Sequence, residues 1–281
     1  MENATTVTKE TANSNEQNES RKNVLLVHGM WCTKSHMSRV QTCLENLGYN
    51  CHTANLPFHE KGEHSQLSNL GISDYVDFLE SELDRLQWKS PILLGHSLGG
   101  LLVQLLATRI NPSALIMLTP VPPLGISGFS WKGTFTVIDI LSTPFFWRKT
   151  NILGPKKFAY GIYNCLPKEE QELLYKTFVK ESGKVAFQTF LPFLDMRLTT
   201  RVQHRKIKCP VFIASASHDK VTPPKIGKKL SKKFKVAEYK LYQQCSHWMI
   251  TEPKIESVLT DADAWLKQTG ALTSKEAQQA K

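Results

Sequence analysis

The chain has 281 residues, 41% of them hydrophobic and 21% charged, with a formal net charge of +10 at pH 7. That length suffices for one large domain with an insert and a sizeable buried core. The longest apolar stretch, Leu98 to Ala107, is far too short to cross a membrane, and no nucleic-acid-binding motif accompanies the positive charge.

Residues 1–22 are polar, dominated by Thr, Asn, Glu and Ser, and lack the apolar core of a signal peptide. They read as a disordered tail. The first strand is expected over Val24–His28, apolar through its middle as a strand buried on both faces should be. His28-Gly29 ends it. Gly29 lets the backbone turn so that the Met30 N–H can face a reaction centre, with Trp31 ranking second as donor, and His28 is read as orienting this loop rather than carrying a proton. A helix follows over Met37–Leu47, stopped at Gly48 as a C-cap. Next come a strand over Asn50–Leu56 and a loop region with His52, His59 and His64, read as solvated rather than as a metal cluster. A helix over Ser73–Leu86 has Ser73 as its expected N-cap and Val76, Leu79, Leu83 and Leu86 on one face.

The strand Pro91–Gly95 leads into Gly95-His96-Ser97-Leu98-Gly99 and then into the apolar helix that follows, expected to end at Asn111-Pro112. Strand, sharp turn and helix with serine at the apex form a G-x-S-x-G nucleophile elbow. The chemistry needs these residue types. A serine on a tight, strained turn exposes its hydroxyl. Glycines two residues either side remove side chains that would collide with the neighbouring strand and helix. The helix start aims free N–H groups and partial positive charge at the reaction centre. The N–H of Leu98 is then one oxyanion donor and that of Met30 the second.

After a strand at Ala114–Thr119, strand–helix alternation fails between Val121 and about Arg205. Phe129, Trp131, Phe135, Phe145, Phe146, Trp147, Phe158, Tyr160 and Tyr163 crowd the first half of this insert, and Phe178, Phe187, Phe190 and Phe193 follow. Most are expected to form the insert's own core. The rest would line a water-poor pocket suited to a hydrophobic acyl group or aromatic ester.

Alternation resumes with a strand at Val211–Ala216, whose carboxyl end delivers Asp219, where α/β folds place their sites. Asp195 and Asp139 are rivals for the acid, but lie within the insert. Lys225, Lys228, Lys229, Lys232, Lys233 and Lys235 are expected on one surface helix, with Ile226, Leu230 and Phe234 on its opposite face. This reads as a solvated basic side. Its functional alternative is docking of an acidic partner, such as an acyl carrier protein, or of an anionic membrane surface. A strand at Ala237–Leu241 precedes His247, the candidate base, on a loop before a helix at Glu252–Leu266. A serine hydroxyl needs such a base at neutral pH, and the base needs an acid to hold its tautomer. His218 adjoins the acid and is expected to point away from His247. The six cysteines form no C-x-x-C pair, and free thiols are expected.

His28-Gly29, the elbow at Ser97, Asp219 with Pro223 after it, and His247-Trp248 before Glu252-Pro253 together resemble the α/β-hydrolase family of serine hydrolases, over about Asn23 to Lys267. The resemblance implies an α/β-hydrolase fold: a mostly parallel, doubly covered sheet with an inserted helical cap. The core is then 23–121 and 206–268, the cap 122–205, and 269–281 a flexible tail. It also implies a Ser97–His247–Asp219 triad and an acyl-enzyme route; no metal or cofactor is expected, since the cysteine spacings suit no zinc site and no Gly-rich phosphate loop appears. Serine at the elbow argues against the branches that attack carbon with a carboxylate. The expected activity is hydrolysis of a carboxylic ester or thioester of a small hydrophobic molecule, in the cytoplasm. The same triad serves carbon–carbon hydrolases, acyltransferases, lyases and cofactor-free haloperoxidases, and a non-catalytic ligand receptor is a further alternative.

Overall fold

The computed structural model describes residues 22–62, 65–126 and 130–272. His64 and Phe129 lie outside the described residues, as do both tails apart from Lys22 and residues 269–272.

Among the described residues eight strands appear in chain order: β1 (Asn23–Val27), β2 (Asn50–Ala54), β3 (Ile92–His96), β4 (Ala114–Leu118), β5 (Thr150–Asn151), β6 (Glu181–Ser182), β7 (Val211–Ala216) and β8 (Ala237–Tyr242). Six of them form a parallel sheet ordered β2-β1-β3-β4-β7-β8, while β5 and β6 pair antiparallel on their own. Each expected strand is present. The residues of β3 and β4 are all buried, which is why their sequences are continuous apolar runs rather than alternations.

The helices are α1 (Ser38–Asn46), α2 (Ile72–Leu86), α3 (Leu98–Leu106), α4 (Trp131–Leu141), α5 (Pro155–Gly161), α6 (Lys168–Tyr175), α7 (Gly183–Phe190), α8 (Pro224–Ser231) and α9 (Ile255–Gln268). The chain runs from β1 outward to β2, then returns to place β3 on the other side of β1. Right-handed crossovers therefore put α1 on one face of the sheet and α2 and α3 on the other. Packing agrees: α2 contacts α3, and α1 contacts α9. The reversal opens a crevice beyond the carboxyl ends of β1 and β3, where open α/β sheets bind ligands.

Several boundaries differ from expectation. Helix α2 is capped by Gly71, whose N–H donates to Asp74 Oδ2 at 2.7 Å, so Ser73 lies inside the first turn. Helix α3 stops at Leu106, before the Asn111-Pro112 break, because Thr108, Arg109 and Ile110 turn back to bond Leu105 and Leu106 carbonyls. Gly48, at φ +91°, does end α1: its N–H and that of Tyr49 close onto Glu45 and Leu44. Helix α8 ends at Ser231 and carries only Lys225, Lys228 and Lys229. Lys232 is its C-cap, and Lys233 and Lys235 lie beyond, so the lysines give an acidic partner no continuous helical stripe. No helix among the described residues is long and apolar enough to cross a membrane.

The segment between β4 and β7 holds α4 to α7. Phe146, Phe158, Tyr163 and Phe178 are buried, but Trp131, Phe135, Phe145, Trp147 and Phe193 are exposed. The expectation that most of these aromatics form a private core is therefore corrected.

Candidate active site

At the end of β3 the chain reverses sharply into α3. Ser97 sits at φ +53°, a region that favours glycine, and is held there by two backbone bonds: its N–H donates to Leu118 O, and its carbonyl accepts from Val121 N, both at 3.0 Å. A Cβ on Gly95 would overlap the Gly99 backbone, and one on Gly99 would overlap the Val27 carbonyl. The elbow thus needs its glycines for close backbone approach.

Ser97, His247 and Asp219 come together in a buried line. Ser97 Oγ donates to His247 Nε2 at 2.8 Å, and His247 Nδ1 donates to Asp219 Oδ2 at 2.8 Å. The His247 and Asp219 side chains are 2% and 0% exposed, so both bonds operate largely out of water. Asp219 Oδ1 also accepts the N–H groups of Val221 and Thr222, at 2.8 and 2.7 Å.

The amides of Met30 and Leu98 donate to no backbone carbonyl among the described residues. Leu98 is the first residue of α3, where helix amides lack internal partners. Gly29 packs against the elbow: a Cβ there would lie 3.0 Å from Ser97 Cβ. Trp31 adopts φ +61°, and its indole N–H donates to Asn151 Oδ1.

The remaining candidates separate from this line. Asp195 turns into its own loop, accepting from the Arg197 and Thr199 amides and the Thr199 hydroxyl. Asp139 is exposed near Lys157. His218 Nδ1 lies 3.4 Å from Cys165 Sγ, away from His247. His28 accepts from Leu56 N–H and donates to Gly29 O, which orients the loop; burial first, then the charge of His59, pushes its pKa well below the ordinary histidine value. His52 pairs with Glu82 on the surface.

His59 is a correction, for it is buried rather than solvated. Its two ring nitrogens donate to Pro57 O and, at 3.1 Å, to Glu181 Oε2. Burial alone lowers its pKa, but the Glu181 charge and hydrogen bond, with the Pro57 and Leu56 carbonyls, outweigh that and leave it raised. Glu181 also accepts from Tyr75 OH at 2.6 Å and from Ser182 N at 2.7 Å. This buried cluster ties the β4–β7 segment to the sheet.

Four supporting side chains escaped sequence reasoning. Thr222 Oγ1 donates to Asp219 Oδ2 at 2.7 Å and lies 3.2 Å from His247 Nδ1. Its spacing, three residues after an aspartate at a strand end, is that of a side-chain-closed turn and was the available signal. The His247 carbonyl accepts from His96 Nε2 and Thr119 Oγ1, at 2.9 and 3.1 Å. Burial and the neighbouring His247 push the His96 pKa down to about 3, keeping that ring neutral. Buried Glu252 accepts from the Ser246 amide and hydroxyl, fixing the turn into His247. Nothing in the spacing of Ser246 and Glu252 signals this contact.

The family model described as "Alpha/beta hydrolase family" matches residues 24–256. The chain belongs to the alpha/beta hydrolase family. This hydrolase is similar to a Mycoplasma genitalium protein named as esterase/lipase 2, at 27% identity over 113 residues, which span 40% of this chain and 42% of that protein's length. Its fold matches a Paleococcus ferrophilus monoacylglycerol lipase, with TM-score 0.66 and 21% identity over 87% of this chain and 93% of the other. It also matches a methylesterase from Arabidopsis, with TM-score 0.67 and 17% identity over 87% and 100%.

Proposed function

We propose that this hydrolase cleaves a carboxylic ester or thioester of a hydrophobic small molecule through an acyl-enzyme. The observation that carries the reading is the buried Ser97–His247–Asp219 line, with both of its bonds at 2.8 Å. In this reading Ser97 Oγ attacks the carbonyl carbon as His247 Nε2 takes its proton. The tetrahedral oxyanion is met by the Met30 and Leu98 N–H groups, each contributing roughly 3–4 kcal/mol to the transition state. His247 then protonates the leaving alcohol or thiol. Water enters, His247 takes its proton, and hydroxide attack on the acyl carbon frees the acid and restores Ser97. Asp219 stays ionised and holds the Nδ1–H tautomer. Residues 122–205 act as a cap over a core of 23–121 and 206–268. This is supported by Val137, Phe158, Ile162, Phe178 and Phe190 from that segment lining the Ser97 cavity.

A fluorophosphonate probe followed by hydrolysis of a p-nitrophenyl ester series tests the reading. Covalent labelling at Ser97 with ester turnover is expected. Folded protein that neither labels nor turns over any ester overturns it.

A further inference from the structure

Trp31 directly follows Met30, whose amide is the second of the two proposed oxyanion donors, and it stands at φ +61°. A bulky residue seldom adopts that conformation unaided. Two hydrogen bonds hold it, and both come from the short β5–β6 ribbon and its approach. The Trp31 carbonyl accepts the Val179 N–H at 2.9 Å, and the indole N–H donates to Asn151 Oδ1 at 3.1 Å. Val179 lies two residues before β6, and Asn151 ends β5, paired in register with Glu181. The bonds within the loop beyond Gly29 are weaker. The Met30 carbonyl accepts only a thiol, from Cys32 at 3.2 Å, and the Cys32 N–H reaches back to Gly29 O at 3.4 Å. Upstream, Gly29 O accepts from His28 Nδ1 at 2.9 Å. The Met30 amide is thus gripped on one side by His28 and on the other by whatever holds Trp31.

Asn151 is suited to that hold by its side-chain amide. Its Nδ2 donates to the Glu181 carbonyl at 3.3 Å while its Oδ1 accepts from Trp31. An indole N–H can only donate and a carbonyl can only accept, so one orientation of the amide satisfies both partners. The half-buried side chain therefore bridges its own ribbon to the loop below. Asn151 does not line the cavity at Ser97, whereas Met30 and Trp31 do. Any effect it has on the reaction must pass through Trp31.

We infer that Asn151 is a positioning residue: through its bond to the Trp31 indole it holds the Trp31 backbone in its left-handed conformation and so aims the Met30 N–H at the oxyanion. The inference rests on the proposed ester hydrolysis and on Met30 as a donor. The bond ties the rate of reaction at Ser97 to a residue of the segment between β4 and β7, 120 positions away from its partner in the chain. Breaking it leaves the Met30 amide in place but less well aimed, and small misplacements of a reacting group are costly.

The test measures kcat and KM on p-nitrophenyl esters, the rate of Ser97 labelling by a fluorophosphonate, and Tm. Asn151→Leu removes the acceptor. Its kcat is expected to fall about tenfold or more, short of the roughly 10²–10³-fold lost when an oxyanion donor is deleted outright. KM should stay within about twofold, and labelling should slow in parallel, because the phosphonyl oxygen sits where the oxyanion forms. Asn151→Asp keeps the acceptor but turns a carboxylate oxygen toward the Glu181 carbonyl. It should lower Tm and yet recover kcat to within about threefold of wild type. Trp31→Phe breaks the same bond from its other end and should lower kcat by a similar factor. Adding Asn151→Leu to Trp31→Phe should then cost less than about twofold more, since the bond is already absent. A kcat that follows Tm through these variants, a wild-type kcat in Trp31→Phe, or an Asn151→Leu loss undiminished in the Trp31→Phe background overturns the inference and leaves ester hydrolysis standing. Wild-type protein that neither turns over an ester nor labels overturns the hydrolysis reading and this role with it.

Discussion

Two regions meet over Ser97, and they are built on different terms. Below are the strand ends of β3 and β4, where every residue is buried and polar groups are held in short chains of hydrogen bonds. Above is the segment from α4 to α7, where Trp131, Phe145 and Phe193 remain 66%, 60% and 78% exposed. The lower region fixes atoms to within a hydrogen bond. The upper one supplies apolar walls, contributing Val137, Phe158, Ile162, Phe178 and Phe190 to the cavity at Ser97. On the proposed reading the difference separates two tasks: the sheet sets reaction geometry, and what is laid over it sets substrate choice. Changes below should therefore act on turnover, and changes above, away from the β5–β6 ribbon, on which molecule is turned over.

The sharpest separation comes from the reacting line itself. Ser97→Ala removes the proposed nucleophile while leaving the elbow's backbone bonds to Leu118 and Val121 in place. A loss of order 10⁶-fold in kcat with an unchanged melting temperature is expected, read by ester hydrolysis and thermal denaturation. Asp219→Asn keeps the shape but presents an amide to His247 Nδ1, favouring the wrong tautomer. Its kcat should fall by about 10⁴-fold at neutral pH. If either variant instead altered chain-length preference at near-normal turnover, the division of tasks would fail.

The lower region was also the legible one. Continuous apolar runs marked β1, β3, β4 and β7, and G-x-S-x-G marked the turn, because a fully buried strand and a crowded elbow each leave few residue types that fit. Asp219 and His247 stood out by their places after strands, and the structure brings both onto one hydrogen-bonded line with Ser97. The upper region was not readable in this way. Its helices are short and its aromatics serve both faces, so Phe158 and Phe193 look alike in sequence although one is fully buried and the other exposed. His59 was misread for a related reason: its partner, Glu181, is 122 positions away, and no local pattern announces a long-range ion pair.

That pair is the joint between the two regions and offers the next test. Glu181→Gln leaves His59 buried without its counter-charge and weakens the bonds from Tyr75 and Ser182. Losing one partner of a buried pair typically costs about 3–5 kcal/mol, and chemical denaturation should show it. The pH dependence has a definite sign. Because the His59 pKa is raised in the folded protein, the pair's contribution is fully present below the unfolded value near 6.5 and fades as pH rises through the folded value. The stability gap between wild type and Glu181→Gln should thus be widest between about pH 5 and 6.5 and narrow at higher pH. His36 and His96 act oppositely. Burial holds them down, at about 4 and about 3, so each withdraws stability as pH falls below 6.5 toward those values. Both proteins should lose melting temperature on acidification through that window.

The smallest effect tests how finely the lower region positions its atoms. Thr222 Oγ1 donates to the same Asp219 oxygen that accepts from His247, while the Thr222 amide bonds the other carboxylate oxygen. Thr222→Val preserves the shape and the amide bond but deletes the hydroxyl. The carboxylate then keeps its backbone donors and loses one lateral restraint. A hydrogen bond to a charged group is worth about 1.5–3 kcal/mol, and part of that should reappear as catalytic loss, because the restraint matters most when His247 becomes an imidazolium. A tenfold lower kcat is expected, with KM little changed. Thr222→Ser, which restores the hydroxyl without the methyl, should recover most of it. Thr222 also lines a larger, mainly apolar cavity that shares Val121, Val137, Phe190 and Val221 with the cavity at Ser97, so the same pair of variants reads both tasks at once. A fall in kcat that is the same for every chain length assigns Thr222 to the acid. A fall confined to long chains would make it part of the pocket wall instead.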